Sequence, residues 1–572
     1  MERVRRNQLR IQHPFYVAIL LLSILSSCAD SIFPDVPTKK KSTTIIERQN
    51  KPLQSNQPKS ISNSRLLRRI TIDLLNHLPS LEDSETIISG EVTIEKFSEQ
   101  VFNEKDVAKA IAERHARFWN LLSTTTPELE RFALIDTNLK SLLTNEIKEK
   151  ILHEPINNLR YLLELKKPFT DLFTTSWSIV HDDVANIWGD SSTTSPWKNE
   201  AFKLYTFQDN RPKMGILNNR GFNASIETGQ STNMISYTSS VLKILNCSKF
   251  EKHEAHLFYS LSESDLLNLP QSAISNPSCS NCHRQIQYIA PSLSGNASGS
   301  NLASWLQYTS NNTGPSYFSG IPFNDEEELA SILSQDPRSY QCEFRNLMEN
   351  ILQRPLLNNE NDLVLYASIL DAFEEEGQNI IQAIRPIIFN ETYKAEIQDK
   401  NVRKKILGLH SGAKILTRSI WKGIINNLSP ISSTIEIPYI IEPGIDDLVD
   451  AVNFSPSGYY FASLKQFVKK LTNSIVNDEL SAGRSANERI LLTQLPDGSG
   501  YSDDLDLIHN QLISLWTHLT SMELDENSLQ FDELFNLWNA GFESEDNIDN
   551  KSKTAWKLVL AGIFLSPEFI LY

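Results

Sequence analysis

The chain has 572 residues, 40% of them apolar and 22% charged, with 26 Phe, 16 Tyr and 9 Trp. That composition supports several buried cores and excludes collagen-like, mucin-like and wholly disordered chains. The net charge of −16, with no dominant basic block, argues against nucleic acid as a partner.

The first residues read in three parts. Arg3, Arg5, Arg6 and Arg10 form a basic start, and Phe15 to Leu25 is an apolar run broken only by Ser23. Leu25-Ser26-Ser27-Cys28 follows. The run is shorter than the ~20 residues a membrane-spanning helix needs and has the flanks of an export signal. The cysteine after small residues resembles the bacterial lipobox, which implies cleavage after residue 27, lipidation of Cys28 by palmitate and like chains, and a lipid-anchored protein. Ala29 rather than Asp after the cysteine favours the outer membrane, with the body facing the periplasm or the cell surface.

Residues 28–64 have no lasting periodicity and read as a flexible tether. From Arg65 the pattern is helical. Leu66 to Leu75 predicts a helix ending before Pro79, with Ser80 placed to cap the next one. Val107 to Leu122 predicts an amphipathic helix with an aromatic stripe, on which His115 reads as a satisfied core histidine. Leu139 to Leu163 reads as two helices broken near Pro155, and the whole block 65–205 as a helical N-terminal domain.

Tyr205 to Thr238, rich in Asn, Gly, Ser and Thr, predicts ordered loop with short strands. Helices are expected at 241–247, 260–269, 325–333, 341–352, 363–373 and 380–388, in a second domain spanning 206–393. A third, helical domain is expected over 394–572, with one short strand within Ile425 to Ile441 and helices at 459–475, 505–519 and 552–565. The apolar stretch Ala383 to Tyr393 is echoed by Leu560 to Tyr572, each running into a short aromatic tail. The fold class expected is mainly α, multi-domain, with few short strands.

The chemistry-bearing motif is Cys279-Ser280-Asn281-Cys282-His283. Two thiols at this spacing can add to the two vinyl groups of a haem, and the next residue places an imidazole under the iron. The expectation is one covalent haem c on Cys279 and Cys282, with His283 as the proximal metal ligand. The competing readings are a local disulfide, a redox dithiol and a zinc site. For the sixth ligand the candidates are Met348, then His253 or His256, or an open position; Met214 and Met234 precede the motif. Once the lipid and haem cysteines are assigned, Cys247 and Cys342 remain, and an oxidising compartment favours their pairing; the alternative is two buried thiols. No phosphate loop, zinc-protease histidine pair or nucleophile elbow is present in the sequence.

These residues resemble the large multi-domain cytochrome-c-like secreted proteins of planctomycetes, myxobacteria and spirochaetes. The islands that carry the resemblance are Leu67 to Ser80, Pro168 to Val180, Arg211 to Phe222, Val241 to Cys247 with the pentad, Asp336 to Arg354, and Trp556 to Phe569. After the pentad the chain has Gln287 to Leu293 where the family has an Asp-Pro-x-Gly element. The resemblance transfers only Cys279, Cys282 and His283 as functional residues. The function it implies is extracytoplasmic electron transfer by a mono-haem lipoprotein, with a redox protein or a small-molecule substrate as partner. Two alternatives stand: a haem-dependent oxidoreductase with an open iron site, and a structural or ligand-binding surface lipoprotein.

Overall fold

The computed structural model describes residues 59–119, 121, 142–187, 195–198, 200–206, 212–226, 234–248, 286, 289–290, 316–354, 356, 360–396, 416–428, 435, 437–438, 458–498 and 500–571. Over these residues the fold is mainly α, with three two-stranded antiparallel sheets.

Helix α1, Asn63–Leu75, is buried almost all round, including Arg68, Arg69, Thr71 and Asp73. Ser62 caps its start, and Asn76 ends it in the left-handed conformation at φ 58°. Three further helices follow: α2, Leu81–Ser89; α3, Ile94–Val101; and α4, Lys105–Phe118. Ser80 and Asp83 close a reciprocal capping box at the start of α2. The pair α5, Asn145–Leu152, and α6, Glu154–Glu164, breaks where Pro155 opens the second helix.

The block 65–205, expected to be a helical domain, also holds a strand pair. Strand β2, Trp177–His181, pairs antiparallel with β3, Phe202–Thr206, in the register Trp177 to Thr206 and His181 to Phe202. The central three residues of β2 are all buried, so no alternation of polar and apolar residues marks the strand. Buried polar bonds fasten this hairpin to α6. Ser178 donates to Glu154, and the amide of Ile179 donates to Asn158 Oδ1 at 2.6 Å. A short helix, α7, Asp182–Ile187, follows β2. The loop and strands expected over 205–238 are corrected: beyond β3 lie a 3-10 turn at Gly215–Asn218 and helices α8, Arg220–Ser225, and α9, Met234–Asn246.

After the small hairpin β4, Ser316–Phe318, and β5, Ile321–Phe323, come α10, Glu326–Gln335, α11, Pro337–Leu352, and α12, Glu360–Glu375. The apolar stretch at 380–388 divides at Pro386 into α13, Ile380–Ala383, and α14, Arg385–Phe389, then α15, Glu391–Lys394. Strand β6, Ala395–Glu396, returns to pair with β1, Lys59–Ser60. Of the stretch 425–441, where one short strand is expected, 425–428 belong to α16, Arg418–Leu428, and 429–434, 436 and 439–441 lie outside the described residues. The chain closes with α17, Gly458–Glu479, α18, Leu505–Thr520, α19, Leu529–Glu543, α20, Ile548–Leu565, and α21, Pro567–Ile570.

Apolar side chains gather into two cores. The first runs from Ile61 to Tyr393 without a break at 205. The second draws on Leu416 to Ile570, together with Ile72 of α1 and Leu78 just beyond it. Helix α1 therefore serves both. Its adjacent arginines divide the work: Arg69 Nη1 donates to the Tyr393 carbonyl at 2.6 Å, and Arg68 Nη2 donates to the Phe569 carbonyl at 2.7 Å. Each guanidinium also lies over the ring of the residue it grips. The two cores close alike. The Ile61 amide donates to Lys394 O at 2.9 Å, and the Leu416 amide to Ile570 O at 3.2 Å. The two echoing apolar stretches of the sequence thus end in equivalent places.

Candidate functional site: a polar cleft and the cysteine-bearing segment

Cys28, Cys279, Cys282, His283, His253 and His256 lie outside the described residues. Cys247 and Cys342 lie within them and are joined. Cys247 follows the last turn of α9 at φ 49°, and Cys342 faces it from α11 with the two Cα atoms 5.2 Å apart and a sulfur–sulfur bond of 2.07 Å. Helices α9 and α11 both contribute to the first core, Val241, Leu242 and Leu245 from one and Phe344, Leu347 and Ile351 from the other. That packing brings the cysteines together across 95 residues of chain.

On the far side of the pentad, Ile286, Ile289 and Ala290 are buried, and Ile289 belongs to the first core. The segment that carries the pentad is therefore held to one core at both ends, by the disulfide before it and by Ile289 after it. Met348 is fully buried in that core, on the same helix as Cys342, and Met214 is fully buried in it as well. His115 is also fully buried. Its Nδ1 donates to the Ile111 carbonyl at 2.6 Å, and its Nε2 meets the Glu343 carboxylate.

A second feature has no counterpart in the sequence reading. Between the first core and α16 of the second lies a cleft of about 470 Å³. One wall comes from the end of α1 and from α4, with Asn76, His77 and Glu113. A second comes from α5 and α6, with Glu149, His153 and Asn157, and from the β2–β3 hairpin, with His181 and Phe202. Helix α16 supplies the third, with Lys422, Gly423, Asn426 and Asn427.

Gly423 makes that third wall possible. A Cβ there would lie 1.9 Å from the carbonyl oxygen of Asn76, so only glycine lets α16 approach the end of α1 this closely.

The charges of the cleft are mostly matched inside it. Arg160 grips both Glu200 oxygens at 2.8 Å, and Lys150 sits 2.6 Å from Glu146 and 2.6 Å from Asp183. Lys422 reaches across from the second core to Glu149 at 3.5 Å. Burial pushes the Glu149 carboxyl up, but Lys422, His153 and Arg418 outweigh it and hold the group below its ordinary value. Burial, aided by Lys422, pushes the His153 imidazole down, and burial with Lys150 does the same to His181. Both histidines are therefore biased toward the neutral form. Asn76 Nδ2 donates to Glu113 Oε2 at 3.0 Å, while Asn76 Oδ1 and Asn157 Nδ2 are buried without a hydrogen-bond partner.

Sequence reasoning missed the cleft because its residues come from six separate stretches of chain. Read one helix at a time, mixed Lys, Glu and Asn look like solvated faces. Among the described residues no three His, Cys, Asp or Glu side chains converge as a metal site, and no helix is long and apolar enough to cross a membrane. Comparison with family models, with curated proteins and with solved structures returns no match for this chain.

Proposed function

We propose that the protein is a mono-haem c-type lipoprotein, anchored by Cys28 to the outer membrane and taking part in extracytoplasmic electron transfer with a redox protein. The observation that carries the reading is the pentad Cys279-Ser280-Asn281-Cys282-His283. The donor set fits the group: two thiols spaced for thioether bonds and an imidazole on the adjacent residue. The Cys247–Cys342 bond supports it in two ways. A disulfide belongs to an oxidising compartment, which is where covalent haem is attached. It also occupies the remaining two cysteines of the body, so that neither competes for Cys279 or Cys282.

When bound, the haem would supply a one-electron couple. The chain's own part is to fix the two ends of the attachment segment to the first core, through the disulfide before it and Ile289 after it.

A second reading, a haem-dependent oxidoreductase acting on a small molecule, draws on Met348. Its full burial in an apolar core is the ordinary setting of a packing methionine; if it only packs, the sixth position falls to His253 or His256 or stays open.

The test is expression with export and a haem-ligation system. Denatured protein should keep haem peroxidase staining on a gel, with a c-type pyridine haemochrome and one haem per chain. Cys279→Ala with Cys282→Ala should abolish both, and Cys28→Ala should abolish palmitate labelling. Matured wild-type protein without covalent haem would overturn the proposal. Carbon monoxide separates the two readings: a ferrous spectrum that ignores it supports transfer, and one that shifts supports the open site.

A further inference from the structure

The described lining of the cleft between α16 and the first core includes none of the residues assigned to haem attachment, and its chemistry points elsewhere. We infer that it binds a neutral, polyhydroxylated small molecule of the size of one to three sugar units.

The size follows from the volume. About 470 Å³ falls in the range of ligand-binding pockets, roughly 300–1,000 Å³, and is far beyond what one or two structural waters require.

The polarity follows from the wall. Leu75, Ala110, Ile156 and Phe202 are its apolar side chains, and apart from Gly423 the rest carry charged, amide or imidazole groups. An apolar ligand would leave those groups desolvated and unpaired, at about 1–3 kcal/mol each.

The neutrality follows from the balance of charge. Four cations, Lys109, Lys150, Arg160 and Lys422, stand against five carboxylates, Asp106, Glu113, Glu146, Glu149 and Glu200. Three of the four cations are already within ion-pair distance of carboxylates of the cleft. The site therefore holds no strong field of one sign to select an anion or a cation. It keeps a dense set of hydrogen-bonding groups in fixed positions.

Hydroxyl chemistry follows from the neutral amides of the wall, Asn76, Asn157, Asn426 and Asn427. A hydroxyl group both donates and accepts, so one kind of group matches an amide's donors and its acceptor alike. A carboxylate would serve only the amide donors, and an ammonium only the acceptors. Asn426 and Asn427, exposed on α16 at the opposite wall, add four donors and two acceptors of the same neutral kind.

The experiment is saturation-transfer NMR on the full mature protein. The neutral probes are cellotriose, xylotriose, maltotriose and chitotriose; citrate and spermidine are the charged ones. Affinities come from calorimetry. At least one trisaccharide should show transfer to the wild type. Asn426→Trp, which fills the cleft from its exposed wall, should weaken binding at least tenfold with an unchanged melting curve. Asn157→Leu should weaken it about as much. If Asn426→Trp does not fold, the paired substitution Asn426→Ala with Asn427→Ala carries the test, with a loss of at least fivefold. The inference is overturned if no trisaccharide shows transfer, if only citrate or spermidine binds, or if the cleft variants bind a trisaccharide as the wild type does. Haem content is measured in the same sample, so an absent haem and an absent sugar response are read separately.

Discussion

Arg68 and Phe569 meet across 501 residues of chain, the guanidinium donating to the Phe569 carbonyl at 2.7 Å and lying 5.1 Å from the centre of its ring. Its neighbour Arg69 makes the same kind of contact with Tyr393. Arg68→Ala should leave the carbonyls of Phe569 and Leu519 without this donor and cost about 2–4 kcal/mol, mostly in the second core. Arg69→Ala should cost about the same in the first. Hydrogen exchange resolved along the chain checks this. Loss of protection spread evenly over both cores in each variant would refute the division.

Gly423→Ala tests the seam between the cores. The new methyl would have to displace the Asn76 backbone, which already sits at a left-handed helix end. Overpacking of this kind costs roughly 1–3 kcal/mol, and it should also part Lys422 from Glu149. The expected result is a lower denaturant midpoint together with faster proteolysis near 416–428. An unchanged midpoint would mean that α16 can shift freely.

Replacing Cys247 and Cys342 together by Ala should destabilise the protein by about 2–4 kcal/mol. The loosening should centre on α9 and α11 and spare α17 to α21, which lie outside the loop the bond closes. Denaturation with and without reductant gives the magnitude, and hydrogen exchange gives the place. Peptide mapping of protein alkylated before lysis should recover 247 and 342 linked; recovery of both as free thiols would dispose of the bond.

His518, in the last turn of α18, has its pKa lowered from 6.5 to about 4 by burial. The folded state therefore favours the neutral ring, and between those two values the unfolded chain binds the extra proton. Stability from this group is complete above pH 6.5 and is lost as pH falls toward 4. The loss should be about 1–3 kcal/mol. Urea midpoints at pH 7.5, 5.5 and 4 should fall more steeply in the wild type than in His518→Gln. Parallel curves would remove His518 as the cause.

Much of the helical framework was legible because its signals are local. The helix at 63–75 announces itself by apolar spacing before Pro79, and Ser80 marks the next start. The hairpin of β2 and β3 was not legible. Three successive buried residues in β2 show no alternation, and its partner strand lies over twenty residues on. Helix α19 shows a different case: Phe531, Leu534 and Trp538 carry a helical spacing behind Ser528, which the expectations above do not include. The arginine pair of α1 reads as a polar interruption of an apolar helix until residues 393 and 569 are placed against it. The disulfide partners followed from counting cysteines, whereas the cleft depends on contacts between helices far apart in sequence, for which no local pattern exists.

The order of synthesis gives helix α1 a particular burden. Arg68 finds its carbonyl only when Phe569 emerges, 501 residues later. At about 5–20 residues per second, roughly half a minute or more separates the two. Through that interval Ile72 and Leu78 lack the core they belong to. Until then the opening helix is latched to the first core alone, through Arg69 and Tyr393, and not to the second.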